Sequence, residues 1–293
     1  MSFRLLTLLT SCLLLLSCEA PYVGEPAIEE EDANCVLQVT GFQVIPFDDG
    51  TSASLNPETR AEQAVTDLCT RLTFVIYEGE TKLRSVAQKQ GDEDFGTAAF
   101  SLPQGKYTVA IIGYNGDGCT VNSLEKITLK GLKDSFLYCE ELEVTDQKVT
   151  HDVTLKRIVA KFRLTLTDEE IPEEVRQLQF SYTGGCTTFS ALTSYGSTTS
   201  GTQSAKLEVT PGQRQFEVYT IPRDETGSLK MTISALDASG NTVGERVFEA
   251  VPVRRNAITT YTGNFFVNTA ESEDISFGLK ADGVWEQGEE VTF

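Results

Sequence analysis

Hydrophobic and polar residues alternate along most of the chain, which is the pattern of half-buried β-strands. The clearest stretch is 158–167 (IVAKFRLTLT), whose lysine, arginine and threonine side chains are expected to face solvent. The residues of that stretch that are predicted to face the core are Ile158, Ala160, Phe162, Leu164 and Leu166. Similar alternation occurs in segments 71–77, 106–114, 215–221, 229–236, 246–253 and 259–267. The chain is therefore predicted to be all-β.

Short turn signals such as Gly184-Gly185 and Pro211-Gly212 separate these strands. Strands joined by short turns favour antiparallel β-sandwiches over a parallel sheet with crossover helices. A proline-glycine turn leading into a strand occurs at Leu102 and again at Thr210. This suggests two similar sandwiches; the alternative is a chance repeat, since such turns are common. We predict two tandem antiparallel β-sandwich domains, 35–155 and 156–268, with the join at Lys156-Arg157, followed by a strand-like tail, 269–293.

The N-terminus has the features of an export signal. Arg4 precedes a largely apolar segment, 5–16, which is too short to cross a bilayer as a helix. It ends in Leu15-Leu16-Ser17-Cys18, the pattern of a bacterial lipoprotein signal, so we expect a signal peptide of 1–17 and lipidation at Cys18. Cys12 fits the same pattern less well, and a plain secretory peptide is the alternative. Segment 18–34 is acidic and proline-containing, and predicts a flexible tether.

Charge and composition exclude several functions. The formal net charge of −19 argues against a nucleic-acid partner and against docking on anionic lipid headgroups. A single histidine, His151, argues against catalytic triads and multi-histidine metal sites. No phosphate-binding glycine loop occurs, and the 43 acidic residues offer many carboxylate pairs without selecting one. We therefore predict a protein that is not an enzyme, with no catalytic, cofactor-binding or metal-binding residues and no cofactor.

Five cysteines remain after the predicted lipidation site: Cys35, Cys69, Cys119, Cys139 and Cys186. Their number is odd, their spacing is irregular and no CxxC pair occurs. Buried free thiols are the simplest interpretation. An exported protein also permits a disulfide, for example between Cys119 and Cys139, and the sequence leaves this open.

Two segments suggest a role in strand exchange between subunits. A β-rich segment, 35–47, is followed by a polar loop and by Arg60-Ala61, so that cleavage after Arg60 would separate this first strand from the rest. The tail contains an alternating segment whose apolar members form a possible donor strand: Ile275, Phe277 and Leu279. A removable first strand and a spare last strand are the parts needed for strand exchange between subunits. The alternative is that both are ordinary strands of their own sandwich.

Several of these segments together resemble a known family. They are the lipoprotein signal ending at Cys18, the strand 71–80 (RLTFVIYEGE), the turn 102–107 (LPQGKY), the strand 157–166 (RIVAKFRLTL) and the segment 182–185 (YTGG). In these features the chain resembles the fimbrillin-associated anchor and accessory lipoproteins of Bacteroidetes-type (type V) fimbriae, over roughly residues 35–268.

The resemblance implies two transthyretin-like β-sandwiches and a palmitate-bearing lipoprotein exposed on the cell outer membrane. It implies assembly with other fimbrial (pilus) subunits and a role in cell adhesion, with a host or bacterial surface receptor as a further partner. In polymerising members an arginine-specific protease removes the N-terminal segment and opens a groove for a neighbour's C-terminal strand, and Arg60 has a fitting place for this cleavage. Anchor members keep the lipid. The alternative function is a non-polymerising lipoprotein of the outer-membrane surface that binds a glycan or a protein.

Overall fold

The computed structural model describes residues 33–43, 64–198, 201–266 and 278–281. The prediction of an all-β chain is confirmed, since these residues form eighteen strands and one short helix, α1 (Val65–Leu68). The first nine strands are β1 (Cys35–Gln43), β2 (Arg71–Glu78), β3 (Thr81–Lys89), β4 (Thr97–Phe100), β5 (Gly105–Tyr114), β6 (Gly118–Ser123), β7 (Lys126–Lys130), β8 (Ser135–Val144) and β9 (Val149–Arg157). The others are β10 (Ala160–Leu166), β11 (Gln177–Thr183), β12 (Thr188–Phe189), β13 (Gln203–Glu208), β14 (Gln215–Thr220), β15 (Thr226–Leu236), β16 (Thr242–Arg254), β17 (Ile258–Gly263) and β18 (Gly278–Ala281).

The first half of the chain is built on a seven-stranded sheet in the order β3-β2-β5-β8-β9-β1-β4. Alternate residues on one face of this sheet form a buried core, among them Leu72, Phe74 and Ile76 of β2. These three residues are the ones that the period of two places on one face of the strand. The opposite face of β2 is buried as well, in a second core that joins residues of the first half, such as Ile127, with residues of the second half, such as Phe189.

The second half is a sandwich of two four-stranded sheets, ordered β14-β10-β17-β18 and β13-β11-β15-β16. The alternation of β10 is confirmed, with every second residue buried from Ala160 to Leu166. Phe162 lies near the centre of the core between the sheets, with its ring centroid 5.6 Å from that of Tyr261 and 6.2 Å from that of Phe180.

The prediction of wholly antiparallel sheets is wrong. Strand β1 runs parallel to β9, and β10 runs parallel to β17. Parallel neighbours need long crossover connections, and here the intervening strands of each half supply them. Period-two alternation fixes which face of a strand is buried but carries no information about the direction of its neighbour.

The two halves meet through a small sheet and a shared core. Strand β12, from the second half, pairs with β7 of the first half and brings Phe189 opposite Ile127. At the end of β9, the buried Arg157 guanidinium forms two hydrogen bonds to the Asp134 carboxylate, at 2.7 and 2.8 Å, and a third of 3.0 Å to Oδ1 of Asn256. The halves are therefore in extensive contact, and the division into 35–155 and 156–268 stays a prediction, as does the transthyretin-like topology.

Candidate strand-exchange site

Strand β1 is an inner strand of the first sheet although it lies at the N-terminal end of the described chain. It pairs in parallel with β9 and antiparallel with β4. Three alternate side chains, those of Cys35, Leu37 and Val39, point into the core and are 1%, 1% and 4% exposed. Strand β1 therefore supplies both main-chain pairing and apolar filling to the position between its two neighbours.

This position has apolar walls. Ala98 and Phe100 of β4 and Val153 and Leu155 of β9 belong to the same core as the inward residues of β1. We call the position the β1 slot. Without β1, unpaired N–H and C=O groups of both neighbouring strands would line the slot, together with these apolar side chains.

Asn34 holds the start of β1. Its side-chain amide donates to the carbonyl of Leu102 at 2.7 Å, and its Oδ1 accepts the Leu102 N–H at 2.9 Å. Its backbone carbonyl accepts the N–H of Val149, at 3.0 Å. The composition of 18–34 predicts a flexible tether that includes both Asn34 and Ala33, whereas in the structure Ala33 is buried and Asn34 is held by these bonds. The only sequence signal for their role is their place directly before the β-rich segment 35–47.

The far end of β1 is packed just as closely. The Phe42 ring meets the buried Phe136 ring edge-on, with centroids 4.9 Å apart. At Gly41, where the register with β9 shifts, a Cβ would lie 3.3 Å from Oγ1 of Thr154. The small residue therefore permits the close approach of the two strands.

Most of the residues selected from sequence lie outside the described residues. These are the signal peptide 1–17, the lipidation site Cys18, the cleavage pair Arg60-Ala61, and Ile275 and Phe277 of the possible donor strand. Their roles stay predictions.

Leu279 lies in β18, which pairs antiparallel with β17 and places Leu279 opposite Tyr261. Among the described strands, β18 has one neighbour and forms the edge of its sheet. It belongs to the second half of the chain, whereas the β1 slot belongs to the first. Within one chain Leu279 and the β1 slot are therefore parts of different sheets.

The described residues show no cluster suited to metal chemistry, since no group of three or more His, Cys, Asp and Glu side chains among them could hold an ion. None of the helices formed by these residues is long and apolar enough to cross a bilayer. The described structure offers strand edges and the slot filled by β1 as surfaces for pairing with another strand.

The five cysteines that follow Cys18 are free. Burial raises the pKa of Cys35 to about 11 and that of Cys69 to about 12, with the nearby negative charge of Asp134 adding to the effect at Cys69. Burial likewise raises the pKa of Cys119 to about 12 and that of Cys139 to about 11. These thiols are suited to packing and not to nucleophilic chemistry.

We predict slow alkylation of these thiols in the native protein. At pH 8 a thiol with a pKa of about 11 is ionised in about one molecule per thousand, against about one in four for an ordinary thiol. Iodoacetamide should therefore modify Cys35 and Cys139 at least ~100-fold more slowly than a free peptide thiol. Mass spectrometry with timed quenching measures this.

Denaturation without a reductant provides the control for the thiol prediction. All five cysteines should then be alkylated within minutes. Rapid labelling of the native protein would contradict the burial of the thiols. A Cys119–Cys139 pair that becomes reactive only after reduction would show that the disulfide alternative holds.

Comparison with known proteins places the chain in a family. A model of the family DUF6562, described as a family of unknown function, matches residues 48–293. The chain belongs to DUF6562. Among curated proteins, none matches this DUF6562 chain.

Several solved structures resemble this DUF6562 protein at low sequence identity. A candidate adhesin from Bacteroides ovatus is 14% identical, with a TM-score of 0.47, over 78% of this chain and 88% of the other. A candidate polysaccharide-binding protein (DUF1812) from Bacteroides thetaiotaomicron is 10% identical, with a TM-score of 0.49, over 88% and 99%. The tip fimbrial protein Mfa3 from Porphyromonas gingivalis, with a C-terminal truncation, is 10% identical, with a TM-score of 0.41, over 85% and 99%. Because every one of these TM-scores is below 0.5, the likenesses carry no argument about function.

Proposed function

We propose that this protein is a surface-exposed fimbrial subunit or anchor lipoprotein, which acts in fimbria assembly and cell adhesion by β-strand exchange. The observation that carries the proposal is the position of β1. A strand at the N-terminal end of the described chain fills an inner slot of a sheet, and Arg60 follows it in the sequence before the next described element, α1. One cleavage after Arg60 would leave β1 held only by non-covalent contacts.

The slot sets the requirements for a replacement strand. It must run parallel to β9 and antiparallel to β4, as β1 does. It must also present apolar side chains at alternate positions to replace Cys35, Leu37 and Val39 in the core. Main-chain pairing would then supply affinity, and the fit of the alternate side chains would supply specificity.

The tail of a second copy, or of another fimbrial subunit, would supply that strand. Ile275, Phe277 and Leu279 provide the required alternation. In its own chain Leu279 is in an edge strand with four register pairs to a single neighbour, whereas β1 has twelve pairs to two neighbours. Release of β18 therefore disrupts fewer strand-pairing contacts than release of β1.

The N-terminal features complete the proposal. Acyl chains on Cys18 would hold the protein at the outer membrane, and the acidic tether would keep the folded part away from the surface. A copy that keeps its lipid keeps β1 and acts as an anchor. A copy cut after Arg60 loses both the lipid and β1, and is free to join a fibre.

The substitution Arg60→Lys tests the cleavage step. We expect wild-type protein treated with an arginine-specific protease to form ladders of SDS-resistant oligomers, because exchanged strands are paired along their length. Arg60→Lys should remain monomeric under the same treatment. A lysine-specific protease should restore oligomers to the variant. Oligomers restored by the lysine-specific protease would show that Arg60→Lys blocks cleavage and does not disturb folding.

Leu279→Asp should abolish oligomers at a different step, since the chain is still cleaved after Arg60 but its tail cannot fill an apolar slot. Oligomers formed equally by uncut Arg60→Lys would contradict the proposal. If cut wild type stays monomeric and the intact protein binds a glycan array, the alternative of a non-polymerising binding lipoprotein replaces it.

A further inference from the structure

Asp168 binds the backbone just after the end of β17. Asp168 lies two residues after the end of β10 and is buried, with 6% of the residue exposed. Oδ2 accepts the N–H of Phe265 at 2.7 Å, and Oδ1 accepts the N–H of Phe266 at 2.7 Å. Hydrogen bonds from backbone amides to a charged carboxylate are stronger than those to neutral acceptors.

Neighbouring contacts fix the same point. The N–H of Thr167 donates to the carbonyl of Gly263 at 3.0 Å, and the Thr167 hydroxyl donates to Oδ1 of Asn264 at 2.7 Å. The Phe265 side chain is 1% exposed and packs in the core of the second half. The end of β17 is therefore tied to the end of β10 before the chain continues towards β18.

We propose that Asp168 is a positioning residue that holds the root of the donor strand, so that β18 can leave while β17 stays in its sheet. The proposal rests on the proposed function, since it assigns this role to the strand that would be donated. Strand β17 lies between β10 and β18. When β18 leaves, β17 keeps its six register pairs with β10, and Asp168 keeps the two amides that follow its end.

We call the two hydrogen bonds from the amides of Phe265 and Phe266 to Asp168 the clamp. Without the clamp, we expect β17 to lose pairing with β10 when β18 leaves the sheet. The amides of Phe265 and Phe266 would have no carboxylate acceptor. Movement of the tail would then be transmitted to the end of β17, which could separate from β10. The donated strand would then leave its own subunit in no defined direction. A joint between subunits needs such a direction if the neighbour's slot is to be filled in register.

Hydrogen exchange on the full chain tests this inference. In wild type, we expect peptides that cover β18 to exchange much faster than peptides that cover 259–266. In Asp168→Asn, the amide group supplies one acceptor and one donor in place of two acceptors. Exchange at 259–266 should then rise about ten- to hundred-fold, and the yield of SDS-resistant oligomers after cleavage at Arg60 should fall at least ~10-fold.

Asp237→Asn is the matched control, because Asp237 is also an aspartate that binds backbone amides, those of Ser239 and Asn241 in its own turn. It should change neither exchange at 259–266 nor oligomer yield. If Asp168→Asn does not fold, Asp168→Glu keeps the charge at a shifted position and should show the same two changes in smaller degree.

The outcomes distinguish the two proposals. Unchanged exchange at 259–266 in the Asp168 variants would overturn the clamp. Faster exchange with undiminished oligomers would overturn the positioning role and leave strand exchange intact. Wild type that forms no oligomers would overturn the proposed function, and the positioning role with it.

Discussion

Leu37→Ala is expected to lower the free energy of unfolding of the uncut protein by about 2–5 kcal/mol, because it leaves a cavity in the core behind β1. Leu37 is 1% exposed and belongs to the core of the first half. Urea denaturation followed by circular dichroism measures the change. Gln38→Ala, at the exposed neighbouring position of the same strand, should change stability by no more than about 0.5 kcal/mol.

The same substitution separates the uncut state from the assembled one. If β1 leaves the slot after cleavage, assembled subunits made from Leu37→Ala and from wild type should have the same stability. The weakened strand should also leave sooner, so the variant should form oligomers faster after cleavage. A stability difference that persists in assembled subunits would show that β1 stays in its slot, and would contradict the exchange of strands.

Arg157→Ala is expected to lower the free energy of unfolding by about 3–5 kcal/mol, the usual cost of removing one partner of a buried ion pair. The Arg157 side chain is 4% exposed, and its removal would leave Asp134 without its bidentate partner. The guanidinium also lies 4.9 Å from the centroid of the Phe136 ring, so packing is lost as well. Thermal unfolding measures the loss.

Two further variants identify the origin of that loss. Arg157→Lys keeps the charge but cannot form the fork to Asp134, and should recover only a small part of the stability. Arg163→Ala removes a comparable arginine–carboxylate pair, with Glu217, whose side chain is 30% exposed, and should cost about 1 kcal/mol or less. Equal effects at positions 157 and 163 would contradict a special role for the buried pair.

The sequence predicted which residues form strands better than it predicted how those strands pack together within the chain. The inward face of 160–166 follows from alternation alone, because a strand with one buried face must repeat every two residues. The β-rich composition of 35–47 predicts the first strand, which the structure describes as Cys35–Gln43. The second buried face of β2 could not be predicted in this way, since Val75 and Tyr77 are covered by parts of the chain that are distant in sequence.

The same limit applies to the polar residues that hold the fold. The predicted join between domains includes Arg157, and an arginine at such a join is usually solvated. Its partners are 23 and 99 residues away, and Asp168 reaches amides 97 and 98 residues away. A single sequence gives no signal for such pairings. The candidate site was predictable only in outline, as a first strand followed by an arginine and an alternating tail.

The N-terminus of the protein in its native setting tests the central claim most directly. Intact-mass and peptide mass spectrometry would be applied separately to protein from the outer membrane and to protein from sheared fibres. The account predicts a start at acylated Cys18 in the membrane fraction and a start at Ala61 in subunits within fibres. Fibre subunits that still carry residues 35–43 in a continuous chain would contradict it, because their β1 slot would have no need of a neighbour's strand.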